Sequence, residues 1–256
     1  MPSSVIAAQM YTLRDFTATA ADAARTLQKV REIGYEAVQI SGFGPMPPAD
    51  VAKMLKDTGL TCCSTHMGWP DFLNETAKVI EINAMWGCKH PALGGLPKEL
   101  RSAEGVMQFA PLANQVGQRI VQAGMDFSYH NHEFEFARSG KKTWLDLLLE
   151  NTDPRYLKAE LDTHWVQTGG GDVVQWVNKV AGRMPVFHLK DYVIAPDKAR
   201  RFAEIGEGNL NWPPILAAAR KAGVEWYCVE QDLCYERNPF DSLKISLENL
   251  RALGLH

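Results

Sequence analysis

The residues from 129 to 136 read Tyr-His-Asn-His-Glu-Phe-Glu-Phe and follow an apolar segment. If this region is a strand, its side chains alternate between two faces, so His130 and His132 point the same way. Polar side chains are costly to bury unless they are paired or ligate something, so two such histidines suggest a site. The alternative is a pair of histidines on a hydrated strand end, hydrogen-bonded to their neighbours.

Three later strand-like segments end in residues of the same kind. These ends carry Asp162 and His164, His188 and Lys190, and Glu230 and Asp232. The members of each pair are two residues apart and therefore face one side. Carboxylates mixed with imidazoles suit a divalent metal ion such as Mn²⁺, Co²⁺, Zn²⁺ or Mg²⁺, so we predict one such ion. The alternative is a buried ion-pair network at all four strand ends.

A repeated pattern of strand and helix positions these residues. Strand-like segments lie at residues 5–10, 35–40, 60–65, 89–93, 125–131, 157–162, 186–190 and 226–231. Helical segments follow at residues 20–33, 48–58, 71–86, 103–123, 143–150, 173–180, 213–222 and 242–253, with Asp15 and Thr17 placed to cap the first. Eight such units fit the roughly 250 residues of a (β/α)8 barrel. We therefore predict an α/β fold, a TIM barrel that forms a single domain over residues 1–256. A doubly wound sheet would be expected to carry an early glycine-rich phosphate loop, which the sequence lacks.

Several segments resemble the sugar phosphate isomerase/epimerase family, which has a xylose isomerase-like barrel. They are residues 9–15 (Gln-Met-Tyr-Thr-Leu-Arg-Asp), 129–136, 161–165 (Leu-Asp-Thr-His-Trp), 188–191 (His-Leu-Lys-Asp), 206–212 and 230–232. The resemblance spans nearly the whole chain. It implies that the active site lies at the carboxyl ends of the barrel strands.

The resemblance also implies a ligand set for the metal ion. Family members typically hold one divalent metal with Glu, Asp, His and Glu from strands five to eight, and Asp162, His188 and Glu230 match the last three positions. A histidine replaces the first glutamate, as in relatives that resemble inosose dehydratase. Aligning the apolar residues before it favours His130 as the ligand, and His132 is the alternative.

Further residues are candidates for acting on the substrate. In relatives, a group at the position of His132 contacts the substrate or transfers a proton; alternatively, His132 orients its neighbour. Lys190 is placed to stabilise an enolate or, alternatively, to pair with an acid. Glu133 and Glu135 start the loop after strand five and are candidate general bases or ligands of a substrate hydroxyl, or plain loop acids. Candidate substrate-binding residues are His66, Gln9, Gln39, Trp165 and Glu207.

The chemistry implied by the resemblance is metal-assisted proton transfer beside a carbonyl group, through an enediolate. We expect an isomerase or epimerase that acts on a keto sugar or sugar derivative. The enzyme alternative is a dehydratase or lyase acting on an inosose or 3-keto-glycoside, which the histidine-bearing fifth strand favours. The non-enzymatic alternative is a sugar-binding barrel without turnover.

Composition limits the partners. The 256 residues are 46% hydrophobic and 22% charged, with a net charge of −3 that gives no basic surface for nucleic acid. A nuclease resembling endonuclease IV, with its three metals, is therefore disfavoured. The sequence shows no signal-peptide pattern and no apolar run long enough to span a membrane, so we expect a cytoplasmic protein. We expect a small sugar or cyclitol substrate, no nucleic-acid or membrane partner, and leave a homo-oligomer open.

Overall fold

The computed structural model describes residues 5–256, in which eight parallel strands form the central sheet. The first four residues, which the sequence analysis includes in the barrel domain, lie outside the described residues. The strands are β1 (Ile6–Gln9), β2 (Ala37–Ile40), β3 (Thr61–Met67), β4 (Pro91–Leu93), β5 (Ser128–His130), β6 (Lys158–Glu160), β7 (Val186–Leu189) and β8 (Trp226–Val229).

Strand pairing nearly closes this sheet into a barrel. Strands β1 to β6 pair in sequence order, and β8 pairs with both β1 and β7. Between β6 and β7, a parallel bridge joins Asp162 to His188, and the His188 N–H donates to the Leu161 carbonyl at 2.9 Å. The prediction of a (β/α)8 TIM barrel is therefore confirmed.

Helices follow the strands. They are α1 (Ala20–Ile33), α2 (Pro48–Thr58), α3 (Trp69–Asn74), α4 (Thr76–Met85), α5 (Ala103–Gln122), α6 (Trp144–Glu150), α7 (Thr163–Thr168), α8 (Val173–Lys179), α9 (Trp212–Ala222) and α10 (Pro239–Ala252). Helices α1, α2 and α9 each end at a glycine in the left-handed region, such as Gly34 with φ 112°. None of the helices in residues 5–256 is long and apolar enough to cross a lipid bilayer.

The cap predicted for the first helix is wrong. The side chain that accepts a hydrogen bond at the start of α1 belongs to Thr19, which binds the N–H of Asp22. Asp15 lies inside a 3₁₀ helix, Met10–Phe16, and the Thr17 hydroxyl donates to the Arg14 carbonyl at the end of that helix. Helix α1 begins at Ala20, where it was predicted, and neither predicted residue is adjacent to its first turn.

The helix predicted at residues 71–86 is two helices in the structure, α3 and α4. Glu75 between them has φ −126° and ψ 32°, outside the helical region. The Thr76 hydroxyl donates to the Phe72 carbonyl at 2.6 Å, and side-chain bonds of this kind bend or interrupt helices. The prediction of one continuous helix is therefore wrong at residue 75.

Several short elements beyond the carboxyl ends of the strands were not predicted. They are the 3₁₀ helix after β1, helix α7 directly after β6, and two antiparallel strand pairs, Arg138–Ser139 with Lys142–Thr143 and Asp191–Ile194 with Arg200–Ala203. Elements this short show too little periodicity to be recognised from sequence. The second strand pair, between β7 and α9, reaches the candidate site through Phe202.

Alternation along the strands places two layers of side chains inside the barrel. The deeper layer is small and apolar and contains Ala7, Ala37, Cys63, Val186 and Cys228. Two residues further along, the upper layer is polar and includes the buried side chains of Gln9, Gln39, His188 and Glu230. On β3 the register shifts beside Gln39, so Ser64 faces Gln39 and accepts a hydrogen bond from it at 2.9 Å.

Candidate metal centre and active site

Four candidate metal ligands converge at the carboxyl ends of β5 to β8. His130 is the last residue of β5, His188 lies in β7, and Glu230 directly follows β8. Asp162 caps helix α7, because its Oδ1 accepts the N–H of Trp165 at 3.1 Å. One ligand atom from each of the four lies within 4.8 Å of the others. This buried group could hold a metal ion.

The second oxygen of Asp162 is the observation that best fits a cation. His130 Nε2 and His188 Nδ1 each lie 3.9 Å from Asp162 Oδ2. This oxygen is buried and has no hydrogen-bond partner among the described residues. Burial raises the pKa of the Asp162 carboxyl to about 6. A buried carboxylate oxygen that accepts no hydrogen bond is costly, and a divalent cation would be a closer partner than the Lys190 ammonium at 3.4 Å, so the residues present fit a metal ion.

Lys190 supplies a positive charge at the same place. Its ammonium lies 2.8 Å from Glu230 Oε2, 2.9 Å from Asp232 Oδ2 and 3.4 Å from Asp162 Oδ2. Burial by itself lowers the pKa of Lys190, but these three carboxylates outweigh it and raise that pKa above its ordinary value. Lys190 therefore stays charged and partly neutralises the acids of the site.

Glu160, two residues before Asp162 in the chain, is fully hydrogen-bonded. Its Oε1 lies 2.5 Å from His66 Nε2 and 3.0 Å from His188 Nε2, and it accepts from Gln39 at 3.0 Å. The Ser64 hydroxyl donates to its Oε2 at 3.3 Å. Burial raises the pKa of Glu160, but the two histidines outweigh burial and hold that pKa well below its ordinary value. Glu160 therefore remains ionised.

A second group that could hold a metal ion overlaps the first. It contains His66, His130, Glu160 and His188, and it shares both His130 and His188 with the upper group. The two groups differ in hydrogen bonding, because both oxygens of Glu160 already accept bonds, whereas Asp162 Oδ2 has no hydrogen-bond partner among the described residues. The upper group is therefore the better candidate.

The protonation of His188 is linked to both carboxylates. Burial lowers the pKa of His188, but Glu160 and Glu230 outweigh burial and raise it to about 10. Its Nδ1 lies 3.2 Å from Glu230 Oε2, and its Nε2 lies 2.6 Å from Gln39 Oε1. A ligating imidazole must be neutral, so a metal ion and the proton on His188 compete.

A cavity of about 470 Å³ opens above the candidate ligands. His130 and Glu230 contribute to its lining, together with the predicted residues His66, His132 and Lys190. Its other lining residues include Arg14, Ser41, Gly94, Phe202 and Leu233, which were not predicted from the sequence. Arg14 and Ser41 follow the ends of β1 and β2, so the barrel prediction itself was the signal that could have found them.

His132 lies at the wall of this cavity, beside the candidate ligands. Its ring centroid is 5.1 Å from that of His130 and 5.5 Å from that of Trp165. Burial and the nearby charge of Lys190 lower the pKa of His132 to about 3, so its imidazole is neutral near pH 7. His132 Nδ1 has no hydrogen-bond partner among the described residues. A neutral imidazole in this position can accept a proton, and its low pKa makes it a weak base.

Two predicted catalytic acids lie away from the cavity. Glu133 is exposed, and its Oε2 lies 3.9 Å from Arg200. Glu135 is turned under the strand by the 3₁₀ turn Phe134–Phe136, where it accepts from the Tyr129 hydroxyl at 2.5 Å and from the His132 N–H at 2.8 Å. Burial raises the pKa of the Glu135 carboxyl to about 8. In this structure Glu135 therefore positions the backbone of His132.

The predicted substrate-binding residues also separate into groups. Gln9 and Gln39 are fully buried beneath the cavity, joined by a 2.7 Å hydrogen bond. Glu207 pairs with Arg237 at 3.1 Å and does not line the cavity. The ring of Trp165 lies 5.1 Å from the Lys190 ammonium. Its indole Nε1 has no hydrogen-bond partner among the described residues.

Residues 27–253 match the family described as the xylose isomerase-like TIM barrel. An inosose dehydratase from Geobacillus thermodenitrificans is 30% identical over 145 residues, which are 50% of this chain and 48% of that protein. The chain thus spans about half the length of the curated relatives it matches.

Solved structures show the same architecture. A sugar phosphate isomerase/epimerase from Parabacteroides distasonis is 25% identical, with a TM-score of 0.82 over 98% of this chain and 95% of that chain. A D-allulose 3-epimerase from Methylomonas, solved in complex with D-allulose, is 14% identical, with a TM-score of 0.73 over 97% and 96% of the two chains. The similarity to the D-allulose 3-epimerase concerns the fold alone.

Proposed function

The chain belongs to the xylose isomerase-like TIM barrel family, and we propose that it is a divalent-metal-dependent enzyme that moves a proton beside the carbonyl group of a keto sugar or cyclitol. The observation that carries this proposal is the convergence of four buried ligand-type side chains, among which Asp162 Oδ2 accepts no hydrogen bond from the described residues. The small-molecule cavity directly above them supports it.

His130, Asp162, His188 and Glu230 would hold the metal ion, which would polarise a substrate carbonyl and make the neighbouring C–H more acidic. His132 would take the proton, because its neutral imidazole lies at the cavity wall next to His130. Lys190 would stabilise the negative charge of the enediolate with its buried ammonium. Glu135 would keep His132 in place by accepting its backbone N–H.

Return of the proton to a different carbon or face would make the protein an isomerase or epimerase. We place this outcome first because the full-length structural relative from Parabacteroides distasonis bears that description. Acids or bases on both sides of one carbon suit epimerisation, and His66, which also lines the cavity, would have to serve as the second group.

Loss of a neighbouring substituent would instead make the protein a dehydratase or lyase. Two observations favour this second candidate. Glu133 and Glu135, the acids predicted as candidate general bases after strand five, lie outside the cavity. The curated relatives with sequence similarity are described as inosose dehydratases.

Proton NMR in D₂O tests both candidates at once. Metal-loaded and metal-stripped protein are incubated with ketoses, inososes and 3-keto-glycosides. We expect C–H exchange beside the carbonyl of at least one substrate, dependent on metal, and the products identify isomerisation, epimerisation or elimination. Metal binding without exchange across the panel would instead support a sugar-binding barrel without turnover.

A further inference from the structure

A second chamber of about 270 Å³ adjoins the cavity above the candidate ligands. The two spaces share Ser41 and His66 as lining residues, so they are neighbours across these two side chains. The chamber lies between the loop after β2, the end of β3 and helix α4. It therefore continues the cavity towards one side of the barrel mouth.

The chamber is lined mainly by apolar side chains. The larger ones are Phe43, Met46, Met67, Ile82 and Trp86, all of them partly exposed. The Trp86 ring is fixed in place because its Nε1 donates to the Pro48 carbonyl at 2.9 Å. Among the described residues, the lining includes no lysine, arginine, aspartate or glutamate. A phosphate group would find no charged partner here.

His66 separates the polar cavity from the apolar chamber. Its Nε2 is 2.5 Å from Glu160, and its ring stacks on His188 with centroids 5.1 Å apart. Gly94 lies against its other side, since a Cβ at that position would be 3.1 Å from His66 Nδ1. A ligand whose sugar lies above the candidate metal ligands can therefore extend past a fixed imidazole into the chamber.

We propose that the chamber binds an apolar substituent of the substrate, so that the substrate is a keto sugar carrying an alkyl or aryl group, as in a keto-glycoside, rather than a free or phosphorylated ketose. This proposal rests on the proposed function, which places the keto sugar above the candidate metal ligands. It adds that the second chamber selects for an apolar substituent on that sugar. Burying an aromatic ring against Phe43, Met46 and Trp86 supplies affinity through the hydrophobic effect.

Calorimetric titration of the metal-loaded protein with methyl and phenyl glucosides, each as both anomers, tests the chamber without requiring turnover. We expect one phenyl glucoside to bind at least about tenfold more tightly than its methyl counterpart, because it buries additional apolar surface. Equal affinities for the phenyl and methyl compounds would overturn the proposal, whether or not the enzyme turns over a ketose.

Substitutions locate the preference in the chamber. Met46→Asp places a carboxylate in the apolar lining, and Phe43→Ser removes a ring from it; both should bring the phenyl-to-methyl affinity ratio towards one. Met107→Asp is the control, because Met107 is 45% exposed on α5 and lines neither space. If the phenyl-to-methyl affinity ratio keeps its wild-type value in both folded chamber variants, the proposal is contradicted. If the affinity ratio changes as expected but no substrate shows proton exchange in D₂O, only the proposed function is contradicted.

Discussion

Two layers of side chains inside the barrel differ completely in character, although they lie two residues apart on the same strands. The deeper layer, with Ala7, Val186 and Cys228, is small and apolar. The upper layer replaces these residues with Gln9, His188 and Glu230, which bond to one another and to their neighbours. One step of strand alternation therefore separates a layer that stabilises the fold from a layer that can do chemistry.

The two layers should respond differently to substitution. Removing atoms from the deeper layer leaves a cavity and lowers the free energy of unfolding. Removing one charge from the upper layer leaves its partners unpaired and removes a candidate ligand or proton carrier. Substitutions in the deeper layer should therefore lower stability, and substitutions in the upper layer should lower activity.

The largest effect is expected at Asp162. Asp162→Asn keeps the oxygen that caps α7 but removes the negative charge, so affinity for the metal should fall at least about 100-fold, with activity close to that of metal-free protein. Calorimetric metal titration measures it. Asp172→Asn is the matched control, because Asp172 caps α8 in the same way and should leave metal affinity unchanged. Wild-type metal affinity in Asp162→Asn would remove Asp162 from the ligand set.

His132→Ala should lower turnover by about 10²- to 10⁴-fold, the range for loss of a general base, while metal content stays close to wild type. Steady-state kinetics and elemental analysis measure the two quantities. His90→Ala serves as the control, because His90 is buried before β4, at the opposite end of the barrel. If His132→Ala empties the metal site and His130→Ala does not, the assignment of the two histidines is reversed.

Val186→Ala tests the deeper layer. Val186 is fully buried, and removing two methyl groups should lower the free energy of unfolding by about 1–3 kcal/mol. Urea denaturation measures this change. The value of kcat/KM per folded molecule should change little, because Val186 neither lines the cavity nor belongs to the candidate ligands. A large loss of kcat/KM with unchanged stability would contradict the claim that the deeper layer serves stability rather than chemistry.

Glu135 and Glu160 sharpen the comparison, because both are buried carboxyls and their pKa values shift in opposite directions. Burial dominates at Glu135, whose folded pKa of about 8 exceeds its ordinary value of 4.5. The unfolded chain therefore loses this proton first as pH rises, so the contribution of Glu135 to stability declines between about pH 4.5 and 8.

Glu135→Gln should flatten that decline by up to about 1.4 kcal/mol per pH unit, since glutamine does not ionise. The Tyr129 hydroxyl can turn to accept from the new amide, which limits the structural cost. Chemical denaturation at a series of pH values measures the slope. An unchanged slope would show that Glu135 is ionised in the folded protein at neutral pH.

Strand alternation explains why much of this molecule could be predicted. Polar residues two apart, such as His188 and Lys190, reveal an inward face, and eight repeated units reveal the barrel. The polar strand ends predicted a metal site, and the family resemblance selected the four residues that the structure brings together. Glu160, two residues before Asp162, is buried and accepts hydrogen bonds from Gln39 and Ser64.

The remaining features depend on contacts that no repeating sequence pattern reveals. The turn that carries Glu135 under His132 is three residues long, and it could not be distinguished from a loop that presents both acids to the cavity. Phe202 reaches the cavity from a short strand pair, and it contacts His164 and Tyr235, which are distant in the sequence. The bulge at β3 that places Ser64 next to Gln39 is a one-residue shift in register, which sequence patterns do not show.

The most direct test of metal-assisted proton transfer uses a substrate found in the D₂O panel, deuterated beside its carbonyl group. With metal-loaded wild-type protein, we predict a primary isotope effect and release of the label to solvent, both lost together in Asp162→Asn and strongly reduced in His132→Ala. Intact movement of the label between adjacent carbons would contradict proton transfer and indicate a hydride shift. Full activity of protein that contains no metal would contradict the proposed metal centre itself.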